Sequence, residues 1–200
     1  MPTATIHHIT SFSGMAVLGK IERTATGQMQ HKVTLPAGQS GTLTTRASDY
    51  SGTVTLAAGH GFQVGDLVDV YWNGMAQMYG GQVTGVSGND VSFAAPNGAP
   101  LPALGSTIVL AKVVSIACGV DLSLLKLLAA QSDQHGFLTL RGPSGEQWLA
   151  VPLLAGLPFT YTIETWPAGP GWSGYIQTIR ASTGAARSAT LRIGILYQSA

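Results

Sequence analysis

Along most of the chain, apolar residues alternate with Thr, Ser, Gln or Asp over short runs, and Gly or Pro closes each run. A period of two sends successive side chains to opposite faces of a strand, whereas a helix face repeats at three and four. The segments "GTLTTRA", "GTVTLAA", "DLVDVYW", "GGQVTGV", "NDVSFAA" and "STIVLAKVVSIA" follow one another between residues 41 and 117 and predict a small barrel or sandwich. Between two of them, "SGND" has the composition of a tight hairpin turn. Pro lacks the amide hydrogen a central strand needs, so "APNGAPLPALG" reads as a loop at a sheet edge.

Beyond residue 112 the β pattern returns in "GFLTLRG", "EQWLAVPLL", "FTYTIETW", "GYIQTIRAS" and "SATLRIGILYQ", which predict a second, antiparallel sandwich. One segment reads differently. In "VDLSLLKLLAAQSDQ", Leu124, Leu127 and Leu128 share a helical face with Asp121 or Ser123 as cap, although Leu122 and Leu124 would also suit a strand. The first forty residues hold "TATIHHITSF", "GMAVLGKIERTA" and "MQHKVTLPAG", runs of mixed polarity that suit strands or an arm packed on a neighbour. The expected organisation is all-β and mainly antiparallel, with at most one short helix. It comprises N-terminal strands or an arm over residues 1–40, a small barrel-like module over 41–112 and a β-sandwich over 113–200.

Composition adds a constraint on partners. Charged residues are 10% of the chain, against roughly 25% in an ordinary soluble domain, while aliphatic and aromatic residues make up 45%. A surface so poor in charge is covered by Gly, Ser, Thr, Gln and Asn or buried against other copies, so a homo-oligomer is expected. A net charge of +1 without a Lys/Arg cluster argues against direct nucleic-acid binding. Lys112, Asp121 and Lys126 interrupt the longest apolar region, which argues against a membrane span. The N-terminus lacks a basic start followed by an apolar core, so folding in a cytoplasm is expected. The single cysteine, Cys118, lies in "VVSIACGV" and reads as a small buried hydrophobe.

Candidate chemistry is sparse. His60 with Asp66 or Asp69 in "GHGFQVGDLVDV" is the nearest approach to a metal or acid/base site, yet His7, His8, His31 and His135 stand in no ligand spacing. Turn chemistry accounts for the same residues: Gly59 and Gly61 permit unusual backbone angles, and Gly65-Asp66 turns the chain into a strand. In "GPSGEQW" the glycines sit at the wrong offsets for a hydrolase nucleophile elbow, and Glu146 with Glu164 is a glycosidase pair only on paper. The expectation is therefore no enzyme, no catalytic residues, no cofactor and no metal. For binding or subunit contact the candidates are aromatic: Tyr71, Trp72 and Tyr79 in "YWNGMAQMYGG", and Trp166, Trp172 and Tyr175 in "ETWPAGPGWSGY".

The stretch "TLAAGHGFQVGDLVDVYWNG" followed by "GGQVTGVSGNDVSFA" resembles a small β module of bacteriophage tail and other virion proteins, over about residues 51 to 112. In that module a His-Gly-aromatic-or-Leu segment and a Gly-Asp turn lead into a strand and a hairpin. Phe62 stands where the pattern often has Leu, and Met75 to Tyr79 are an insertion. The residues from "WLAVPLLAGLPF" to the C-terminus are similar in layout to C-terminal β-sandwiches of phage virion proteins. The resemblance implies a structural virion protein, assembled in the host cytoplasm, with other virion proteins as partners: head decoration, head-to-tail connection or tail component. The alternative expectation is a carbohydrate- or receptor-binding module that holds a host-surface glycan on its aromatic loops.

Overall fold

The computed structural model describes residues 4–6, 11–12, 15–16, 23–25, 27–121, 125–162 and 175–197. Near the N-terminus β1 (Ala4–Ile6) pairs antiparallel with β4 (Arg23–Ala25), and β2 (Ser11–Phe12) with β3 (Met15–Ala16). Next in the chain come β5 (Gly27–Leu35), β6 (Gln39–Ser48), β7 (Ser51–Leu56), β8 (Leu67–Trp72), β9 (Met75–Ser87), β10 (Asp90–Ala94), the two-residue β11 (Asn97–Gly98) and β12 (Thr107–Lys112). The protein is all-β, and every strand pairing among the described residues is antiparallel.

Six of these strands close into a barrel in the order β10-β7-β6-β12-β8-β9, and β9 returns to pair with β10. Closure occurs because Val91 of β10 faces Val54 of β7 on one side and Val86 of β9 on the other. It removes the open edges that invite unwanted pairing. Alternation fills the interior: Val54 and Leu56, Val91 and Phe93, and Ile108 and Leu110 each stand two residues apart and point inward. Two tight hairpins set the register. Asn73 (φ 55°) and Gly74 (φ 78°) join β8 to β9 with the two positive angles of a type I′ turn. Gly88 (φ 58°) heads the predicted "SGND" turn between β9 and β10.

The remaining strands are β13 (Val114–Asp121), β14 (Leu125–Ser132), β15 (Gly136–Arg141), β16 (Gln147–Leu153), β17 (Pro158–Thr162), β18 (Tyr175–Thr183) and β19 (Ala189–Tyr197). With β5 they form two four-stranded sheets, β13-β18-β15-β16 and β17-β14-β19-β5. Their facing side chains make one core, including Leu138, Leu140, Ile176 and Ile179 from the first sheet and Leu128, Leu191, Ile193 and Ile195 from the second.

Two expectations are corrected. The helical reading of "VDLSLLKLLAAQSDQ" gives way to β14; residues 122–124 of that segment lie outside the described residues. β14 is an interior strand whose Leu125, Leu127, Leu128, Ala129 and Ala130 are all buried. A strand buried on both faces has no alternation to show, and its leucines fall at helical spacing by chance. The 1–40 unit is also divided: β5 pairs with β19 from Leu35↔Ala189 to Gly27↔Tyr197 and is an edge strand of the sandwich. The barrel, residues 39–112, is thus inserted between two strands of the sandwich.

Candidate functional site

The "GHGFQVGD" segment is fully occupied by its own turn. The Phe62 amide donates to His60 Nδ1 (3.1 Å), which leaves the proton on Nε2 to be donated to the Gly88 carbonyl (3.0 Å) in the β9–β10 turn. Asp66 Oδ2 accepts from the Gln63 amide (2.9 Å) and pairs with Lys112 Nζ (2.7 Å), which also donates to the Gly61 carbonyl (2.8 Å) and sits 5.3 Å from the Phe62 ring centroid. Partial burial raises the Asp66 carboxyl, but the Lys112 hydrogen bond and charge and the Gln63 amide outweigh it and hold its pKa below the usual value. His60→Ala strips two backbone groups of their partner. It is expected to lower unfolding free energy by about 1 kcal/mol, read by urea denaturation, with the barrel fold intact.

No group of three or more His, Cys, Asp or Glu able to hold a metal occurs among the described residues. "GPSGE" is a turn closed by Gly142 N–H to the Glu146 carbonyl (2.9 Å), and Glu146 Oε2 accepts from the Ser144 amide (2.9 Å); Glu164 lies outside the described residues. Cys118 is half-buried at the sandwich core, and burial pushes its thiol up to about 11 despite the Val120 amide.

The unforeseen constellation lies where barrel meets sandwich. Asp69 on β8 is 4% exposed; its Oδ2 accepts from the Ser182 hydroxyl (2.5 Å) and its Oδ1 from the Gly80 amide (2.9 Å). Ser182 Oγ in turn lies 2.7 Å from the Tyr71 hydroxyl, which donates to it because Ser182 spends its proton on Asp69. Burial raises the pKa of Asp69 above its ordinary value, against the pull of Ser182, Gly80, Arg141 and Arg180. Burial and then the Asp69 charge raise that of Tyr71. Around this chain Tyr71, Ala111 and Phe137 are buried together, and the Tyr79 ring packs on Phe137 with centroids 4.8 Å apart. Tyr71 and Tyr79 thus hold the two domains together, and Tyr71, 3% exposed, is not a surface contact. Trp166 and Trp172 lie outside the described residues, and of Tyr175 only the backbone is placed, opposite Asp121.

Beside the junction opens a cavity of about 340 Å³. Trp72, Asn73 and Thr107 line it from the barrel, and Gln134, His135 and Gly184 from the sandwich. Trp72 is half-buried against the barrel core, and Tyr71 and Trp72 are the sequence-predicted aromatics that border this cavity among the described residues. Gln134 and His135 sit in the polar "SDQHG" connection, where nothing in the sequence distinguishes them from ordinary turn residues. A second cavity, of about 320 Å³, borders Lys32, Asp133 and Arg192, with Asp133 Oδ1 accepting the Thr190 amide (2.8 Å).

The apolar surface is concentrated at turns. Val64, Met75, Leu104, Leu154 and Leu157 are each more than half exposed, and Leu154 and Leu157 flank one turn between β16 and β17. That turn is fastened from beneath: Gly156 N–H donates to the Ser132 carbonyl (2.8 Å), and Gln131 Nε2 to the Gly156 carbonyl (2.8 Å). Comparison with protein-family models, with curated proteins and with solved structures finds no match. The fold and junction therefore define a two-domain β-barrel and β-sandwich protein, and function is argued from its surfaces.

Proposed function

We propose that this chain is a non-enzymatic structural protein of a bacteriophage-like particle, a head decoration, head-to-tail connection or tail component that acts by oligomeric assembly. The observation that carries the reading is a charge-poor chain that presents leucines on a fastened turn. Charged residues are 10%, and Leu154 and Leu157 are 51% and 58% exposed. Large exposed apolar side chains on a rigid support are what a subunit contact buries, and identical copies repeat each weak contact by symmetry. The resemblance of residues 51–112 to a virion β module supports the same reading, as does a junction that fixes the two domains so that contacts on both are presented in one geometry. Partners are other copies and other virion proteins, met in the host cytoplasm.

Replacing Leu154 and Leu157 together by Ser tests the contact. The assembly is expected to shift to smaller species in sedimentation velocity while the unfolding midpoint stays within about 2 °C, because both side chains are exposed. An unchanged sedimentation profile would overturn the assignment of this turn to the assembly surface.

A further inference from the structure

The sandwich turns two arginines toward the barrel side, and the function proposed above uses neither. Leu138, Leu140, Ile179 and Ala181 point into the sandwich core, so the residues alternating with them on β15 and β18 face the other way, as Phe137 and Ser182 do where they meet Tyr71. Arg141 and Arg180 lie on that outer face. The register sets Arg141 opposite Thr178 and Arg180 opposite Thr139, which makes the arginines diagonal neighbours on adjacent strands, a relation that spaces them about 7–8 Å apart at the backbone. Both are half-buried, and the Nε–H of each is buried without a hydrogen-bond partner. Among the described residues Arg180 makes no hydrogen bond or ion pair, and Arg141 makes one bond, from Nη1 to the Gly145 carbonyl (3.1 Å).

Two guanidinium groups this close repel each other unless an anion sits with them. The carboxylate whose charge acts on Arg141 is Asp69, and its two oxygens are already taken by the Ser182 hydroxyl and the Gly80 amide. Burial and then the Arg180 charge lower the pKa of Arg141, against Asp69 and Tyr79, as befits a cation short of counter-charge. A further donor stands beside the pair: the point a Cβ at Gly80 would occupy is 2.6 Å from Arg141 Nη2 and 3.4 Å from Asn97 Nδ2. One guanidinium edge satisfies both oxygens of a carboxylate, whereas a phosphate has oxygens enough for two guanidinium forks and an amide. We infer that Arg141 and Arg180, with Asn97 beside them, form a binding site for a tetrahedral oxyanion of the phosphate class, either the free ion or the head of a small phosphate monoester. The backbone holds the site ready: Gly145 anchors one end of the Arg141 guanidinium, and Gly80, without a side chain, leaves the space that its other end fills. The site stands whether or not the chain assembles into a particle.

The test is a titration of the full chain followed by the NMR signals of the Arg141 and Arg180 Nε–H groups, whose burial slows their exchange with water. The probes are inorganic phosphate and methyl phosphate, with sodium acetate and sodium chloride at matched ionic strength as controls. At least one phosphate is expected to give saturable shifts of both signals with a dissociation constant below about 10 mM, and Arg180→Gln to weaken binding at least tenfold. Arg180→Lys keeps the charge that faces Asp69 but loses the planar fork; it is expected to weaken binding severalfold and serves if Arg180→Gln does not fold. Methyl phosphate bound at least as tightly as inorganic phosphate points to the head of a monoester, and tighter binding of inorganic phosphate to the free ion; either supports the site. Absence of saturable shifts with both phosphates at about 50 mM, equal shifts with acetate or chloride, or binding undiminished in the folded Arg180 variants would overturn it.

Discussion

Replacing Asp69 by Ala is expected to lower the unfolding free energy by about 3 kcal/mol, a fall in melting temperature of about 10 °C for a chain of this size. The substitution leaves the Gly80 amide and the Ser182 hydroxyl without their acceptor in a buried junction and removes the negative charge that faces Arg141 and Arg180. Asp69→Asn should behave in the opposite way. Its amide oxygen can accept from Gly80 and its amide nitrogen can donate to Ser182, so the network survives without a buried charge. The direction of the Asp69 pKa makes the contrast pH-dependent. A carboxyl raised in the folded state binds more protons folded than unfolded, so its contribution is fully present below the ordinary value of 3.8 and is lost as pH rises through the folded value. Urea denaturation of the wild type between pH about 4 and about 8 should show that decline, superimposed on the other titrations. Asp69→Asn should remove it and be the more stable protein at the alkaline end. A decline that persists undiminished in Asp69→Asn would show that another group causes it.

Gly184→Val is expected to cost about 3 kcal/mol and to separate the melting of the two domains. A Cβ at Gly184 would lie 2.5 Å from Cδ1 and 2.7 Å from Cγ of Tyr71, so the ring must move. That ring cannot move freely, because its hydroxyl is held 2.7 Å from Ser182 and its back packs with Ala111 and Phe137. The strain falls on the contact that makes barrel and sandwich one cooperative unit, leaving the two connecting segments, residues 36–38 and Val113, as the covalent links. Calorimetry should show one transition for the wild type and two for Gly184→Val. Since Gly184 and Asp69 act on the same network through Tyr71 and Ser182, the double variant Asp69→Ala with Gly184→Val should lose less stability than the sum of the single losses. Full additivity would mean that the two residues act separately.

The barrel was legible because its strands bury one face and leave the other in water, so "TVTL" and "DVSF" show the alternation that their structure has. The segment "STIVLAKVVSIA", read as one strand, is divided at Val113 between β12 and β13. β14 was misread for the opposite reason: with both faces buried it carries no period. β5 was seen as a candidate strand, but its partner β19 lies at the other end of the chain, and no local pattern records such a pairing. The junction was hidden in the same way. Tyr71 and Ser182 are 111 residues apart, and Ser182 in "RASTG" looks like any polar residue near a turn. Asp69 was visible only as a polar position in "LVDVYW" and was weighed as chemistry beside His60, whereas its carboxylate turns away to the other domain. Of the aromatic candidates, sequence gave their clustering but not their depth. Tyr71 and Trp72 are neighbours on one strand, and the alternation of that strand turns Tyr71 to the junction and Trp72 to the barrel core.

The assembly reading meets its most direct test in the absolute mass of the purified chain by light scattering, over a range of protein and salt concentrations. A closed oligomer, a trimer, pentamer, hexamer or larger, is predicted, persisting on dilution and undiminished by high salt, because its contacts are apolar and screening acts on charges. A monomer at every concentration would contradict it.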